Sequence, residues 1–181
     1  MPDSAAETLS IRPAVPADAA QIARVHVSSW RAAYRGLLPD RFLDRLSVDE
    51  RAPTWRRRID GRHDAEAVLV AERDGAVVGF ASAGPTRDRD ADPRSVGEVY
   101  AVYLAPDEWG CGAGRRLLER TVAALQSFGF AHAGLWVLES NEHARGFYEH
   151  LGWCADGATK QERFGERVTE VWYRLALRSG A

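Results

Sequence analysis

Two periods of hydrophobic positions alternate along the chain. Leu9-Ser10-Ile11-Arg12 alternates apolar with polar and predicts a short strand. Ala19, Ile22, Ala23, His26 and Trp30 then recur at helical spacing, which predicts an amphipathic helix opened at Pro16, with Asp18 as its cap. Gly36 and Pro39 interrupt that pattern near Tyr34, and a second helical stretch follows over 48–59. Segments 67–72 and 76–83 read as strands, with Asp74-Gly75 between them as a hairpin turn signal. Segment 85–95 is polar and charged and reads as a mobile loop, and 96–105 is a strand ended by Pro106. A helix with the stripe Leu118, Val122 and Leu125 runs to Phe128, followed by an apolar strand over 133–138. Asn141 caps a helix whose Ala144, Phe147, Tyr148 and Leu151 share one face, and Gly152 stops it. Segment 168–177 alternates and forms a last strand or hairpin. The order predicts a mixed α/β layered domain in which helices cover a largely antiparallel sheet.

The 181 residues fit one domain, placed at 9–177 behind a flexible N-terminus, 1–8. Composition narrows the partners. Hydrophobic residues make up 45% and charged residues 28%, as in a folded globular chain. A formal net charge of −2 offers no field to gather nucleic acid or anionic membrane. No apolar run approaches the roughly 20 residues that span a bilayer, and no signal peptide is recognisable, so the expected location is cytoplasmic. Cys111 and Cys154 lack the number and spacing of a disulfide framework or a metal site. His132, His143 and His150 also lack metal-ligand spacing, and no metal is expected. His26, on an apolar stripe, reads as a core histidine, and Arg56-Arg57-Arg58 as a solvated helix face.

The candidate chemistry sits between a strand and a helix, at Trp109-Gly110-Cys111-Gly112-Ala113-Gly114-Arg115. Glycines let the backbone turn tightly against a ligand, and a helix N-terminus adds free N–H groups and a positive dipole end. Together they predict an anion site suited to phosphate. A dinucleotide turn would need glycine where Arg115 stands, and a nucleotide P-loop needs a Gly-Lys-Ser/Thr that is absent. The turn that grips the pyrophosphate of coenzyme A, and a tight turn without a ligand, stay open on this segment alone.

The residues that follow extend the pattern. Val102-Tyr103-Leu104-Ala105-Pro106, then Gly110-x-Gly112-x-Gly114-Arg115, then Asn141…Ala144…Phe147-Tyr148…Leu151-Gly152-Trp153 resemble the GNAT superfamily of acyl-CoA N-acyltransferases in order and spacing. Trp109 departs from the Gln or Arg common at the turn's first position. The stretch from Val27 to Asp40 is similar to a subgroup that includes spermidine/spermine acetyltransferases.

The resemblance implies six or seven mostly antiparallel strands with about four helices, and acetyl-CoA as cosubstrate. It implies that Val102, Tyr103 and Leu104 flank the pantetheine arm and that Trp109, Gly110, Cys111, Gly112, Ala113, Gly114 and Arg115 surround the pyrophosphate. Asn141 and Phe147 complete the cofactor side. Tyr148 becomes a candidate general acid as well as a cofactor contact, although periodicity alone reads it as a core aromatic. Glu98 becomes a candidate general base and substrate contact, or else an exposed strand-end carboxylate. Trp30 and Tyr34 become candidate acceptor-pocket residues, or core aromatics.

The implied reaction moves an acetyl group to a primary amine of a small molecule: a polyamine, an amino acid or an amino-bearing antibiotic. A cationic acceptor would call on carboxylates such as Asp40, Glu98, Glu139 or Glu170. A protein N-terminus or lysine as acceptor, an acetyl-CoA sensor without turnover, and a purely structural domain are the alternatives. Edge strands of this fold also allow a homodimer.

Overall fold

The computed structural model describes residues 9–177, so the segment expected to be a flexible N-terminus lies outside the described residues. β1 (Ser10–Pro13) leads through a 3-10 turn at Pro16–Asp18 into α1 (Ala19–Ala33). A short α2 (Asp40–Asp44) and α3 (Val48–Asp60) precede three strands, β2 (Ala67–Arg73), β3 (Ala76–Pro85) and β4 (Val96–Leu104). Then follow α4 (Ala113–Ser127), β5 (His132–Leu138), α5 (Glu142–His150), β6 (Cys154–Phe164) and β7 (Glu166–Ala176).

The seven strands form one sheet in the order β1-β2-β3-β4-β5-β7-β6. Every neighbouring pair is antiparallel except β4 and β5. That pair is parallel because α4 carries the chain back between them, the crossover that parallel pairing requires. The β2–β3 turn is as expected: Asp74 at φ 51° and Gly75 at φ 77° both adopt the left-handed conformation of a type I′ hairpin.

Strand side chains divide between two layers. Val68, Val70 and Phe80 face Ile22, Ala23, Trp55 and Ile59 of α1 and α3. Ala71, Ala81 and Leu104 face Leu117 of α4 on the other side, and α5 joins that side by packing Phe147, Tyr148 and Leu151 against Leu135, Val137 and Tyr173. The helical stripes read from the sequence are therefore the faces that the sheet covers.

Three local expectations change. Asp18 does not cap α1; its carboxylate accepts the Val15 N–H at 2.8 Å and both terminal nitrogens of Arg12, at 2.7 and 3.0 Å. A buried carboxylate is tolerated only when so partnered, and Arg12 holds its pKa below the usual range. α2 was not expected, because five residues are too few to show a helical period. β6 is almost wholly exposed and carries no apolar alternation, so only its partner β7 was legible.

Two irregularities of β4 position the site. The β3–β4 register passes from Ala83↔Val99 to Ser82↔Ala101, which makes Tyr100 the extra residue of a bulge. In addition, β4 pairs with β5 only from Val96↔His132 to Glu98↔Gly134. Past Glu98 the two strands part, and one side of β4 from Val99 to Leu104 has no strand partner.

Candidate active site

The parting of β4 from β5 opens a cleft of about 1190 Å³. Of the predicted site residues, all but Cys111 and Ala113 line it.

The glycine turn forms one end. Gly110 and Gly112 adopt φ of 78° and 82°, conformations that other residues resist, and a Cβ on either would meet nothing within 4 Å. The turn thus presents bare backbone to open space. The first α4 backbone bond at its N-terminal end runs from Arg116 N–H to Gly112 O at 3.2 Å. The N–H groups of Gly114 and Arg115 come before it and have no carbonyl one turn back. Trp109, the departure from the common pattern, donates from Nε1 to Leu104 O at 3.1 Å and pins the turn to the end of β4. The Arg73–Glu108 ion pair at 3.0 Å holds the same turn to β2. Arg115 lies along α4, ion-paired to Glu119 at 2.7 Å. The Cys111 thiol donates to Glu108 O at 3.0 Å, and the Ala113 methyl is buried in the core, so these two offer the cleft no side chain.

At the middle of the cleft, Asn141 Oδ1 accepts the Ala144 N–H at 3.1 Å and caps α5 as expected. That cap fixes the face carrying Phe147 and Tyr148. The Tyr148 ring sits against Phe147, Trp153 and Tyr173. Burial raises its pKa above the ordinary phenol value, and Tyr103 adds to the effect. Its hydroxyl makes no hydrogen bond among the described residues, and its ring both packs on the core and lines the cleft.

Glu98 marks the far end. It is not an exposed strand-end carboxylate: it is 4% exposed. Its Oε2 accepts the Arg87 N–H at 2.8 Å and the Thr86 hydroxyl at 3.3 Å, and its Oε1 accepts from the Arg87 guanidinium at 3.3 Å. Arg87 belongs to the segment expected to be a mobile loop, which past Pro85 lies outside every helix and strand, and its guanidinium lies 3.9 Å from the centre of the Tyr100 ring. Two further carboxylates, Glu162 of β6 and Glu170 of β7, line this end. Lys160 pairs with both, at 3.4 and 3.1 Å, and lies over Trp136. Burial raises the Glu170 pKa, Lys160 opposes the shift, and Glu162 and Glu98 reinforce it. Glu162 had no signal in the sequence because β6 has none. Asp40 pairs with Arg35 at 2.9 Å, and neither Asp40 nor Glu139 lines the cleft.

Aromatic rings wall the same end. Trp30 packs on Tyr34 at 4.9 Å and on Phe164 at 5.6 Å. The Tyr34 and Tyr103 hydroxyls are 3.2 Å apart, so Tyr103, expected beside the cofactor, also touches an aromatic expected in the acceptor pocket. Behind them His26 accepts the Trp55 Nε1–H on Nδ1 at 3.1 Å and stacks on Tyr103. Burial, helped by Arg51, pushes its pKa down to about 3. It is the core histidine that its apolar stripe predicted. No cluster of three metal-ligating side chains occurs among the described residues, and no helix there is long and apolar enough to cross a membrane.

Splayed strands, a bare glycine turn at a helix start and a capped helix carrying a tyrosine define a fold and cleft of the acetyl-CoA-dependent acetyltransferase type. The chain belongs to the Acetyltransferase (GNAT) family, whose sequence profile matches residues 26–153. YuaI of Bacillus subtilis, an uncharacterized N-acetyltransferase, is 37% identical over 134 residues, covering 74% of this chain and 73% of its own. Rv2775 of Mycobacterium tuberculosis, named as a probable N-acetyltransferase, is 33% identical over 174 residues, covering 92% of this chain and 93% of its own. The structure of yncA from Salmonella typhimurium with its cofactor acetyl-CoA superposes with a TM-score of 0.71, at 27% identity and 96% coverage of each chain. The protein is an N-acetyltransferase with acetyl-CoA as its cosubstrate.

Proposed function

We propose that the acceptor is a primary amine of a small molecule, acetylated by direct attack in a ternary complex. The observation that carries this reading is the closure of the acceptor end by the β6–β7 turn. Phe164 packs on Phe42 of α2 at 5.8 Å and on Trp30 of α1, and a Cβ on Gly165 would meet Phe42 at 3.1 Å and Pro39 at 3.5 Å. A turn seated this closely on α2 makes a walled pocket, which suits a small amine better than a length of protein chain. Glu98, Glu162 and Glu170 outnumber Lys160 and Arg87 there, a balance that favours a cationic acceptor.

The residues fit acetyl-CoA: the turn offers N–H groups without a Cβ in front, and the unpaired side of β4 offers backbone groups to an extended pantetheine arm. Bound there, the cosubstrate supplies an acetyl thioester as electrophile. In this reading the N–H groups of Gly110, Gly112, Gly114 and Arg115 hold the pyrophosphate. A β4 backbone N–H near Val102 polarises the carbonyl oxygen. Glu98 takes a proton from the incoming ammonium, directly or through water, and Trp30 and Tyr34 wall the acceptor. Tyr148, kept protonated by burial, gives its proton to the departing thiolate.

The test is a thiol-release screen with acetyl-CoA against polyamines, amino acids, aminoglycosides and short peptides. Turnover with one of the small amines is expected. Turnover confined to peptides would move the acceptor to protein, and CoA binding with no release from any amine would favour a sensor.

A further inference from the structure

A second cavity, of about 380 Å³, lies among α1, the α2–α3 connection and α3 and shares no lining residue with the cleft. Its wall comes from α1, the α2–α3 connection and α3, and it carries three arginines, Arg45, Arg51 and Arg58, against a single carboxylate, Glu50. Arginines beside the sheet, by contrast, meet carboxylates: Arg12 with Asp18 and Glu72, Arg73 with Glu108, Arg87 with Glu98. None of the three cavity arginines has an ion pair or a side-chain hydrogen bond among the described residues.

Arg51 is the sharpest case, because its Nε is buried with no hydrogen-bond partner. Buried N–H groups are nearly always satisfied, and a cationic one left bare is costly. Two of the guanidiniums lie against rings rather than anions. Arg51 lies 5.8 Å from the Trp30 ring centre, and Arg58 lies 5.5 Å from that of Trp55 and 4.9 Å from that of Tyr100. Stacking on a ring occupies the guanidinium face and leaves its N–H edge free for a planar or tetrahedral oxyanion. Burial lowers the pKa of Arg51 and, with Arg87, that of Arg58, and the nearby carboxylates Glu50, Glu66 and Glu98 offset this only in part. His26 also lines the cavity; with Nδ1 taken by Trp55, its neutral ring carries the proton on Nε2.

We propose that this cavity binds a small oxyanion, a carboxylate or phosphate group held by the guanidinium edges of Arg45, Arg51 and Arg58, at a site separate from the glycine turn. Its occupant would sit one aromatic layer behind the acceptor pocket, since Arg51 rests on Trp30 and His26 stacks on Tyr103, and both rings line the cleft.

The experiment is calorimetric titration of the full chain, saturated with CoA so that the glycine turn is filled. The probes are inorganic phosphate and succinate, with chloride at matched ionic strength as the control. One saturable site for at least one probe is expected, and the tighter of the two identifies the source of the oxyanion. Arg51→Gln and Arg45→Gln should each weaken it about tenfold or more, with CoA affinity unchanged. Arg45 is exposed, so its variant decides alone if Arg51→Gln does not fold. Absence of saturable binding, equal affinity in the folded variants, or binding seen only without CoA would each overturn the proposal.

Discussion

At the scale of single residues, the reaction rests on where two protons can go. The Tyr148 phenol faces the cleft with its pKa raised by burial, so it stays a donor through neutral and mildly alkaline pH. Tyr148→Phe removes only the hydroxyl and leaves the ring against Phe147 and Trp153. Its kcat should fall about 100-fold, the lower range for loss of a general acid, while CoA affinity measured by calorimetry stays near wild type. Near-wild-type turnover would remove the acid role. Glu98 is held by two N–H donors from Arg87 and by the Thr86 hydroxyl, which fix the carboxylate at the cleft end. Glu98→Gln keeps the shape and loses the carboxylate proposed as the base. The acidic limb of the kcat/KM profile should therefore disappear in that variant; an unchanged limb would shift the role to a water relay or to Glu170.

At the scale of elements, the β4 bulge and the short β4–β5 pairing do what no single side chain does. They leave a strand edge unpaired inside the molecule, and the start of α4 stands at one end of it. Gly112, at φ 82°, is the residue just before that helix. Gly112→Val would put a branched side chain where the left-handed conformation costs about 1–2 kcal/mol, and the relaxed turn would swing its N–H groups off the pyrophosphate. The expected outcome is a rise of about tenfold in KM for acetyl-CoA, with kcat less affected. An unchanged KM would place the pyrophosphate elsewhere.

For the whole molecule, one buried histidine sets part of the pH dependence of stability. The folded pKa of His26 is about 3, against about 6.5 for a free imidazole. Between those values the unfolded chain holds a proton that the folded chain lacks, so stability falls as pH falls through that window. The slope is up to about 1.4 kcal/mol per pH unit. Urea melts at pH 7, 6 and 5 should show a shallower slope for His26→Gln than for wild type, and equal slopes would refute the assignment. His26 also ties α1 to α3 through Trp55 and to β4 through Tyr103, the layer that divides the cleft from the arginine cavity.

Most of the frame was legible because it rests on local rules. Hydrophobic period marked α1, α3, α4, α5 and the inner strands; Asp74-Gly75 marked a turn; Asn141 marked a cap; the glycines before α4 marked an anion site. What escaped was carried by long-range contact. β6 is polar on both faces, so its place and Glu162 depend on pairing with β7. Arg87 is exposed, as its polar loop suggested, but its contacts with Glu98 and Tyr100 come only from the fold. Asp18 read as a cap until β1 brought Arg12 to it. The bare backbone of the turn proposed to bind an anion was set by the sequence, since it needs only glycine and a helix start. The cleft, the carboxylates gathered at its far end and the closure by the β6–β7 turn were decided by tertiary structure. They depend on two strands parting after three residues, and strand pairing joins positions too far apart in the chain for any local pattern to record.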